Sequence, residues 1–385
     1  MNPVASPDPT PVGLLDALTR QAGWCAGGGN APFTAAVMRA SHDWLASDDA
    51  ARRYFESLAS DPLAAAVPLR WAAALHHLAL RGIEPFAALW PPRDGGDPAA
   101  LRSAVQQGWS AHRVAVKRAL AHPPQTNEVQ RSAALLPGLL HIAAATGRPI
   151  RLLEIGASAG LNLWCDRYRH EHAGPPQGRI PECAARRASG PHSAWSWGDA
   201  AAPLVIGGEW RGPAPPLDAP LAIEHRAGCD AMPVDLLDPA EGLRLASFVW
   251  PDQPERLARL RAAQQAAARW LAGSGVRVEA LPAAAFVERE LSLEAPGQTR
   301  VLMHSVVWQY IAAAEQRAIT ATVAAAGAKA TAASPLAWLR FEPVDAALDF
   351  QLRCTLWPGG NDTLLARMHP HGAWVEWLAA SDGAA

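Results

Sequence analysis

The sequence predicts a mixed α/β protein, with an all-helical N-terminal domain over residues 1–148 and a doubly wound, mostly parallel sheet over residues 149–385. Up to residue 147 the apolar residues recur at three- and four-residue spacing, as they do in amphipathic helices. From residue 149 onward, short apolar runs alternate with helical patterns, which is typical of a parallel sheet. The last apolar runs follow one another without helices, and this predicts antiparallel pairing at one edge.

Composition excludes several classes of protein. The 34 basic and 36 acidic residues give a formal net charge of −2, so there is no basic field to attract nucleic acid. No apolar stretch approaches the ~20 residues that span a bilayer, and the N-terminus lacks the pattern of a signal peptide. The five cysteines are scattered without a C-x-x-C pair. We therefore expect a cytoplasmic protein without a nucleic-acid or membrane partner.

The N-terminal helices come from three long periodic segments, PFTAAVMRASHDWLASD, PLRWAAALHHLALRG and LRSAVQQGWSAHRVAVKRALAH. Gly82 ends the second, and the Pro- and Gly-rich residues 91–98 predict a loop. After the Pro-Pro pair at 123–124, the segment QTNEVQRSAALLPGLLHIAAATG predicts another helix, bent at Pro137 and ended by Gly147.

The second domain begins with an apolar run closed by glycine, IRLLEIG, which predicts a buried parallel strand. LNLWCDRYRHEH predicts a helix directly after it. Residues 174–220 predict an irregular insertion with one hairpin around PLVIGGEW. Further strands are predicted at PLAIEHRAGCD, GVRVEAL, RVLMHSVVWQYI, PLAWLRFEP, FQLRCTLWPGG and TLLARMHPHGAWVEWL, with a turn at GGND and helices at PDQPERLARLRAAQQAAARWLAG and AAAEQRAITATVAAAG.

The segment RLLEIGASAGLN, residues 151–162, carries the strongest functional signal. Small residues between a strand and a helix let the backbone approach a ligand, and an acidic residue at the strand end accepts hydrogen bonds from its amine or hydroxyl groups. Methyltransferases hold an adenosine-type cofactor in a similar E/D-x-G-x-G-x-G turn. Here Ser158 replaces the middle glycine. An ordinary tight connection between strand and helix is the structural alternative.

The same residues also spell G-x-S-x-G, the nucleophile elbow of α/β-hydrolases. In that interpretation Ser158 is the nucleophile, and a triad in chain order would add Asp252 or Asp349 and then His369 or His371. No HGGG-type oxyanion segment precedes the serine, and Glu154 would have no role. A non-catalytic protein that binds an adenosine ligand is the third hypothesis.

Five segments in order, QTNEVQRSAALLP, EIGASAGLNLWCDRY, RAGCDAMPVDLLDP, WPDQPERLARLRAAQ and MHSVVWQYI, closely resemble a bacterial family known as domain of unknown function 2332. The resemblance covers nearly the whole chain. It implies a Rossmann-like fold of the class I methyltransferase type and S-adenosylmethionine as the cofactor. The acceptor molecule is not implied.

Mapping the class I pattern onto this chain implies cofactor contacts from the first turn and from the acid after the second strand: Glu154, Gly156, Ser158, Gly160, Asn162 and Asp230, with Glu224 as the alternative to Asp230. The acid would accept both ribose hydroxyls. Two features depart from the pattern. About 70 residues separate Gly160 from Asp230, against ~20 in dinucleotide-binding folds, and no Gly-Asp follows the third strand, so adenine would rely on Glu279, backbone or packing.

Substrate contacts are predicted from the polar segment after Pro123-Pro124 and from two later positions: Gln125, Asn127, Glu128, Arg131, Asp252 and Trp308. For Asp252 the D-x-x-E spacing also predicts a capping box for the helix that follows. His304 ends the fourth strand, where the crevice of an open sheet lies, and is the predicted general base. Glu342, at the end of the next strand, would orient the imidazole, and Trp308 would cover the methyl donor.

No metal site is predicted. The histidine pairs 76–77, 170/172 and 369/371 lack a third ligand at helical spacing or a neighbouring cysteine. Most tryptophans are expected in cores, and only Trp250 and Trp308 fall near the predicted crevice.

Overall fold

A computed structural model describes residues 11–90, 97–174, 195–344, 350–369 and 372–379. The chain forms two compact units, one from residues 1–126 and 238–261 and the other from residues 127–237 and 262–385. The expected boundary at residue 148 differs from this division in two places. The helix at 132–146 belongs to the unit that contains the sheet, because it packs on four strands, and residues 238–261 return to the helical unit.

Twelve α-helices are described: α1 Leu14–Ala26, α2 Pro32–Ser47, α3 Asp49–Glu56, α4 Val67–Leu80, α5 Phe86–Leu89, α6 Pro98–Ala111, α7 Arg113–Leu120, α8 Ser132–Thr146, α9 Pro239–Ser247, α10 Pro254–Ser274, α11 Ala283–Ser292 and α12 Ala313–Ala328. The helical unit has its own core. Its centre is an aromatic cluster of Trp44, Phe55, Trp71 and Trp109, whose neighbouring ring centroids lie 5.2–6.3 Å apart. The predicted helical segments carry Trp44, Trp71 and Trp109, and the short α3 adds Phe55; together these rings supply the apolar burial that the unit needs.

Eleven strands form one sheet: β1 Ile150–Ile155, β2 Arg169–Ala173, β3 Trp195–Trp197, β4 Val205–Arg211, β5 Ile223–Asp230, β6 Val278–Ala280, β7 Thr299–Ser305, β8 Leu336–Pro343, β9 Phe350–Trp357, β10 Asn361–Met368 and β11 Trp374–Trp377. Their spatial order is β3-β2-β4-β11-β10-β9-β8-β7-β1-β5-β6. Most pairs are parallel, and the fold is mixed α/β as predicted.

The strands β6, β5, β1, β7 and β8 form a continuous parallel block. Numbered by their own order along the chain, they lie in the order 3-2-1-4-5. The strand order therefore reverses between β1 and β7, and this position is the topological switch point of the block. On one face, Phe286 of α11 and Ile319 of α12 pack with Leu153 and Leu302 into a buried core.

The opposite face is covered by α8, which packs on β4, β8, β9 and β10. This helix is apolar around most of its circumference, because 11 of its 15 residues are buried. Gly138 lies directly against Leu339 and Leu352, where a larger residue would collide. Gly147, in the left-handed conformation with φ +60°, ends the helix as predicted.

The segment after β1 differs from its prediction. LNLWCDRYRHEH forms a 3₁₀ helix, Leu161–Arg167, followed by β2 instead of a single α-helix. His170 and His172 are buried while their neighbours are more exposed, and this alternation with a period of two belongs to a strand.

The predicted irregular insertion contributes strands to the same sheet. PLVIGGEW is a single strand, β4, which pairs in parallel with β2 and β11 and does not form a hairpin. Residues 175–194 of the insertion lie outside the described residues. Because β2, β3 and β4 extend the far end of the sheet, β1 and β5 remain neighbours despite the ~70 residues between Gly160 and Asp230. The antiparallel pairs of β8, β9, β10 and β11 consequently lie inside the sheet, whereas the sequence predicted them at an edge.

Among the described residues, no helix combines the length and the apolar character that crossing a membrane requires.

Candidate functional site

The carboxyl ends of β1, β5 and β7 lie at one edge of the parallel block, because parallel strands end on the same side. Three predicted site residues therefore share this edge: Glu154 near the end of β1, Asp230 at the end of β5 and His304 near the end of β7. The half-buried surface there is formed by Gly156, Asp230, Val307 and Trp308. We call this surface the carboxyl edge.

The turn after β1 is held by Asp230. Its Oδ2 accepts a hydrogen bond from the backbone N–H of Ser158 at 2.9 Å, and its Oδ1 accepts one from Met232 N–H at 2.9 Å. The predicted ribose contact would have to use the remaining lone pairs of this carboxylate. Gly156 requires glycine, because its φ is +66° and a Cβ atom would fall on the side chain of Val307.

Two residues without the freedom of glycine adopt the left-handed conformation at the switch point. Ser158, after β1, has φ +54°, and Val306, after the neighbouring strand β7, has φ +55°. Such conformations cost about 1–3 kcal/mol each and are rare for β-branched residues. They persist where the surrounding structure enforces them, and they concentrate at functional sites.

Glu154 is the most deeply buried acid of this region, with 1% of its surface exposed. Burial raises its pKa well above the ordinary value, the Arg131 guanidinium lowers it, the Asp230 carboxylate raises it, and the Asn162 amide lowers it. Glu154 Oε2 makes no hydrogen bond of normal geometry with any described residue, and neither does Asn162 Nδ2. A buried carboxyl with an open oxygen is costly unless a further polar group meets it.

Part of the polar segment after Pro123-Pro124, from which substrate contacts are predicted, contacts the residues after β1 and the end of β7. Asn127 Oδ1 accepts a hydrogen bond from Leu161 N–H at 2.9 Å. Arg131 Nη1 donates to the carbonyl and the hydroxyl of Ser305, at 2.9 and 3.2 Å. Glu128 caps the short 3₁₀ helix 129–131 by accepting from the backbone N–H of Gln130. The segment thus links the ends of β1 and β7.

His304 and Glu342 form a pair at the end of β7 and β8. His304 Nδ1 lies 2.6 Å from Glu342 Oε1, which also accepts from the backbone N–H of Val307 and Trp308 at 3.1 and 3.3 Å. The indole of Trp308 stacks on the imidazole, with centroids 5.2 Å apart and an interplanar angle of 17°. His304 Nε2 is buried without a hydrogen-bond partner among the described residues.

Glu154 and His304 occupy opposite faces of the sheet. In the register of β1 and β7, Glu154 pairs with Met303, so His304 lies one residue further along its strand. Since successive side chains alternate between faces, His304 is on the face of Trp338 and the α11–α12 core, with its ring 6.0 Å from the Trp338 ring. A ligand that meets both residues must therefore reach across the end of the sheet.

Several predicted contacts have other partners. Gln125 belongs to the helical unit, where Arg244 Nη1 donates to its side chain at 3.0 Å. Glu224 accepts from Gln298 at 2.8 Å. Glu279 is paired with the Arg289 guanidinium, which lowers the pKa of that carboxyl. The predicted adenine and alternative ribose contacts are therefore engaged within the protein.

Asp252 caps a different helix from the predicted one. Its carboxylate accepts from the backbone N–H of Phe33 at 2.7 Å and from the N–H and hydroxyl of Thr34 at 3.0 and 2.6 Å. These residues open α2, whose own N-cap position is Ala31. The spacing of D-x-x-E could not reveal this, because the capped helix lies more than 200 residues earlier in the chain. Trp250 packs in the same unit, against Gly29 and the ring of Trp24.

The hydrolase triad is not assembled around Ser158 within the described residues. Ser158 Oγ is buried and has no hydrogen-bond partner there. Asp252 binds the first residues of α2 in the other unit. His369 directly follows β10, and in the sheet order the strands β9, β8 and β7 lie between β10 and β1. Asp349 and His371 lie outside the described residues.

The 3₁₀ helix Leu161–Arg167, which follows the turn after β1, limits what this turn can offer a ligand. Seven residues of 3₁₀ helix do not supply the dipole of a long α-helix, and the first N–H, that of Leu161, already donates to Asn127. The first turn therefore offers a ligand the backbone around Gly156 and not a helix N-terminus.

The candidate histidine pair on β2 is packed among aromatic rings. His170 Nε2 lies 2.9 Å from the carbonyl of Cys165, and His172 stacks on Trp195 with centroids 4.4 Å apart. Burial lowers the pKa of His170 to about 3 and that of His172 to about 4. In the described ranges, three or more His, Cys, Asp or Glu side chains nowhere converge as metal ligands would.

Sequence reasoning did not find Val306, Val307, Ser132 or Trp338, all of which border the site. Ser132 Oγ lies 3.4 Å from Asn162 Oδ1 behind the turn, and Trp338 lies beside His304. A left-handed valine and a contact between strands leave no local signal in a sequence. The segment VVWQY, which follows Ser305, was the signal in the sequence for these residues. Apolar residues that continue past the end of a strand are expected to pack against neighbouring side chains.

The chain belongs to a bacterial protein family described as "Uncharacterized protein conserved in bacteria (DUF2332)", whose model matches residues 15–377. No curated protein and no solved structure matches the chain.

Proposed function

We propose that this protein is a methyltransferase that binds S-adenosylmethionine at the carboxyl edge and transfers its methyl group to a small molecule. The observation that carries the proposal is Glu154, a buried acid with an open oxygen, beside a glycine turn at the switch point of a block ordered 3-2-1-4-5. Ligands of open α/β sheets bind at such switch points. The strained conformations of Ser158 and Val306 at the same position support a functional site.

The residues present suit such a cofactor in part. Gly156 leaves the backbone accessible, Asp230 adds a half-buried carboxylate, and Glu154 lies behind them to meet a cationic amine. S-adenosylmethionine, when bound, supplies a methyl group on a sulfonium centre. The engaged Asp230 and Glu279 and the 3₁₀ helix imply that ribose and adenine are held differently from the usual class I pattern.

His304 is the proposed general base. Glu342 fixes Nδ1, so Nε2 is the nitrogen that would remove a proton from the acceptor. Trp308 covers one face of the imidazole and limits access of water to it. The side chains of Glu154 and His304 project from opposite faces of the sheet. The methionine part of the cofactor would therefore lie near β1 and its methyl group near the end of β7.

Binding is the first test of the proposal. Purified full-length protein is denatured and searched by mass spectrometry for co-purified S-adenosyl compounds, and S-adenosylmethionine and S-adenosylhomocysteine are then titrated by calorimetry. Glu154→Ala should weaken binding by ~1–3 kcal/mol, the range for a hydrogen bond to a charged group. Glu288→Ala, which removes an exposed acid of α11, is the control and should bind normally. Absence of binding by the wild type refutes the proposal.

Two variants separate catalysis from folding and from the hydrolase alternative. His304→Ala should retain its melting temperature and cofactor affinity while turnover falls ~10²–10⁴-fold. A joint loss of stability and affinity would identify His304 as a structural residue. A fluorophosphonate probe should leave the wild type unlabelled, whereas stoichiometric labelling that is lost in Ser158→Ala would establish a serine nucleophile.

A further inference from the structure

A cleft in the helical unit has no role in the proposed function. It encloses about 540 Å³ between α3, α6 and α7. Its walls include Tyr54, Trp109, Gln106, Arg113 and Lys117, all within the helical unit. Tyr54 and Trp109 form its aromatic side, with ring centroids 4.8 Å apart.

Two cations lie against these rings. Lys117 Nζ is 4.4 Å from the ring centroid of Tyr54 and 5.9 Å from that of Trp109, and Arg113 Cζ is 4.9 Å from the Trp109 centroid. Within the described residues, neither cation forms an ion pair with a carboxylate. Aromatic faces stabilise a cation but do not satisfy its N–H donors, of which lysine has three and arginine five.

The cleft carries an excess of positive charge. Asp48 is the one carboxylate among the described residues that line it, and both of its oxygens are used within the protein. Oδ1 accepts from Ala51 N–H at 2.9 Å as the cap of α3, and Oδ2 accepts from Trp44 Nε1 at 3.3 Å. Accepting these neutral N–H groups leaves the charge of Asp48 in place, so the two cations exceed it by one positive charge, and an anion from solution would meet their free donors beside the half-buried ring of Tyr54.

We propose that this cleft is a second binding site, which takes a small aromatic anion with its anionic group on Lys117 and Arg113 and its ring against the half-buried Tyr54. Trp109 is buried and packs against the Tyr54 ring. A charge-assisted hydrogen bond supplies part of the affinity, and contact with the Tyr54 ring favours an aromatic anion over a simple anion. This site is independent of the carboxyl edge, so its test is separate from that of the methyltransferase proposal.

The lysine content of the chain permits a direct test. Lys117 and Lys329 are the two lysines of the sequence. Reductive methylation of the full-length protein with ¹³C-formaldehyde therefore yields two lysine signals besides that of the N-terminal amine, and Lys117→Gln identifies one of them. The methylated amines keep their charge, and the rings of Tyr54 and Trp109 should shift the Lys117 signal before any ligand is added.

Benzoate, benzamide and benzamidine share one shape and carry negative, neutral and positive charge, so they are the probes. Benzoate should shift the Lys117 signal saturably and leave Lys329 unchanged, while benzamide binds about tenfold more weakly and benzamidine does not bind. On unmodified protein, Lys117→Gln should lose about tenfold in benzoate affinity by calorimetry, and Lys329→Gln should lose none. Equal responses of the two lysines, benzamidine binding as strong as that of benzoate, an unchanged affinity in Lys117→Gln, or equal effects of inorganic sulfate and benzoate would overturn the proposal.

Discussion

His304 and Glu342 lie on neighbouring parallel strands and meet through Nδ1 and Oε1 at 2.6 Å, which leaves the buried Nε2 of His304 as the nitrogen without a partner among the described residues. Oε1 of Glu342 also receives two backbone N–H groups, so its position is defined by three donors. A carboxylate in this position favours the tautomer with the proton on Nδ1. The pair thus has a fixed geometry before any substrate binds.

The tautomer can be measured. In ¹⁵N-histidine-labelled protein, long-range ¹H–¹⁵N spectra should show His304 with a protonated Nδ1. Glu342→Gln keeps an oxygen for the backbone donors but can turn its amide toward the ring, so a fraction of His304 should shift its proton to Nε2. Glu376→Gln, on β11, is the matched control. An Nε2-protonated wild type would contradict the proposed orientation.

Glu154 should make stability depend on pH. Burial raises its pKa above the ordinary value of 4.5, so the folded protein keeps a proton that the unfolded chain has lost. This contribution to the free energy of unfolding is complete below pH 4.5 and is lost as the pH rises through the folded pKa. Glu154→Gln removes this titrating carboxyl. The free energy of unfolding should then decline less steeply with rising pH, by up to ~1.4 kcal/mol per pH unit.

Urea unfolding across pH 5 to about pH 9 measures the difference between the wild type and Glu154→Gln. Glu288→Gln serves as the control, because the Glu288 side chain is exposed. Parallel pH profiles for the wild type and Glu154→Gln would show that the folded and unfolded states titrate this carboxyl alike.

Ser158 should reveal backbone strain. Ser158→Gly and Ser158→Ala lose the same hydroxyl, but only alanine keeps a Cβ atom at φ +54°. The glycine variant should therefore be the more stable of the two by ~1 kcal/mol in chemical denaturation. At Ser103, exposed within α6, the order should be reversed by a similar amount, because glycine weakens a helix interior. The same order at both positions would mean that the turn stores no strain.

Asp252 should stabilise the helical unit through α2. Asp252→Ala leaves two backbone N–H groups and one hydroxyl without their acceptor and should lower the free energy of unfolding by ~1–3 kcal/mol. Asp252→Asn retains one acceptor oxygen and should cost less. Asp97→Ala removes the exposed cap of α6, with bonds of 3.1 and 3.3 Å, and should cost ~1 kcal/mol or less.

Hydrogen exchange localises the effect of Asp252→Ala. The amides of Phe33 and Thr34 should lose protection first, while the amides of α6 remain as in the wild type. Uniform loss across the unit, or no loss in α2, would argue against a capping role.

The sequence by itself determined the local structure, because the spacing of apolar residues and the glycines that end helices act over only a few residues. It predicted α2, α4 and the segment that forms α6 and α7, the strands β1, β5, β6 and β7, and α8 with its end at Gly147. It also placed Glu154, Asp230 and His304 at one edge, since the ends of parallel strands must coincide.

Only the tertiary structure decided what depends on distant partners. His170 and His172 follow a pattern that suits a helix as well as a strand, and their segment became β2 because β4 lies beside it. Asp252 has the spacing of a local cap, but the open N–H groups of α2 bind it instead. The faces of Glu154 and His304 follow from the register of β1 and β7, which hydrogen bonds between strands establish and no single segment encodes.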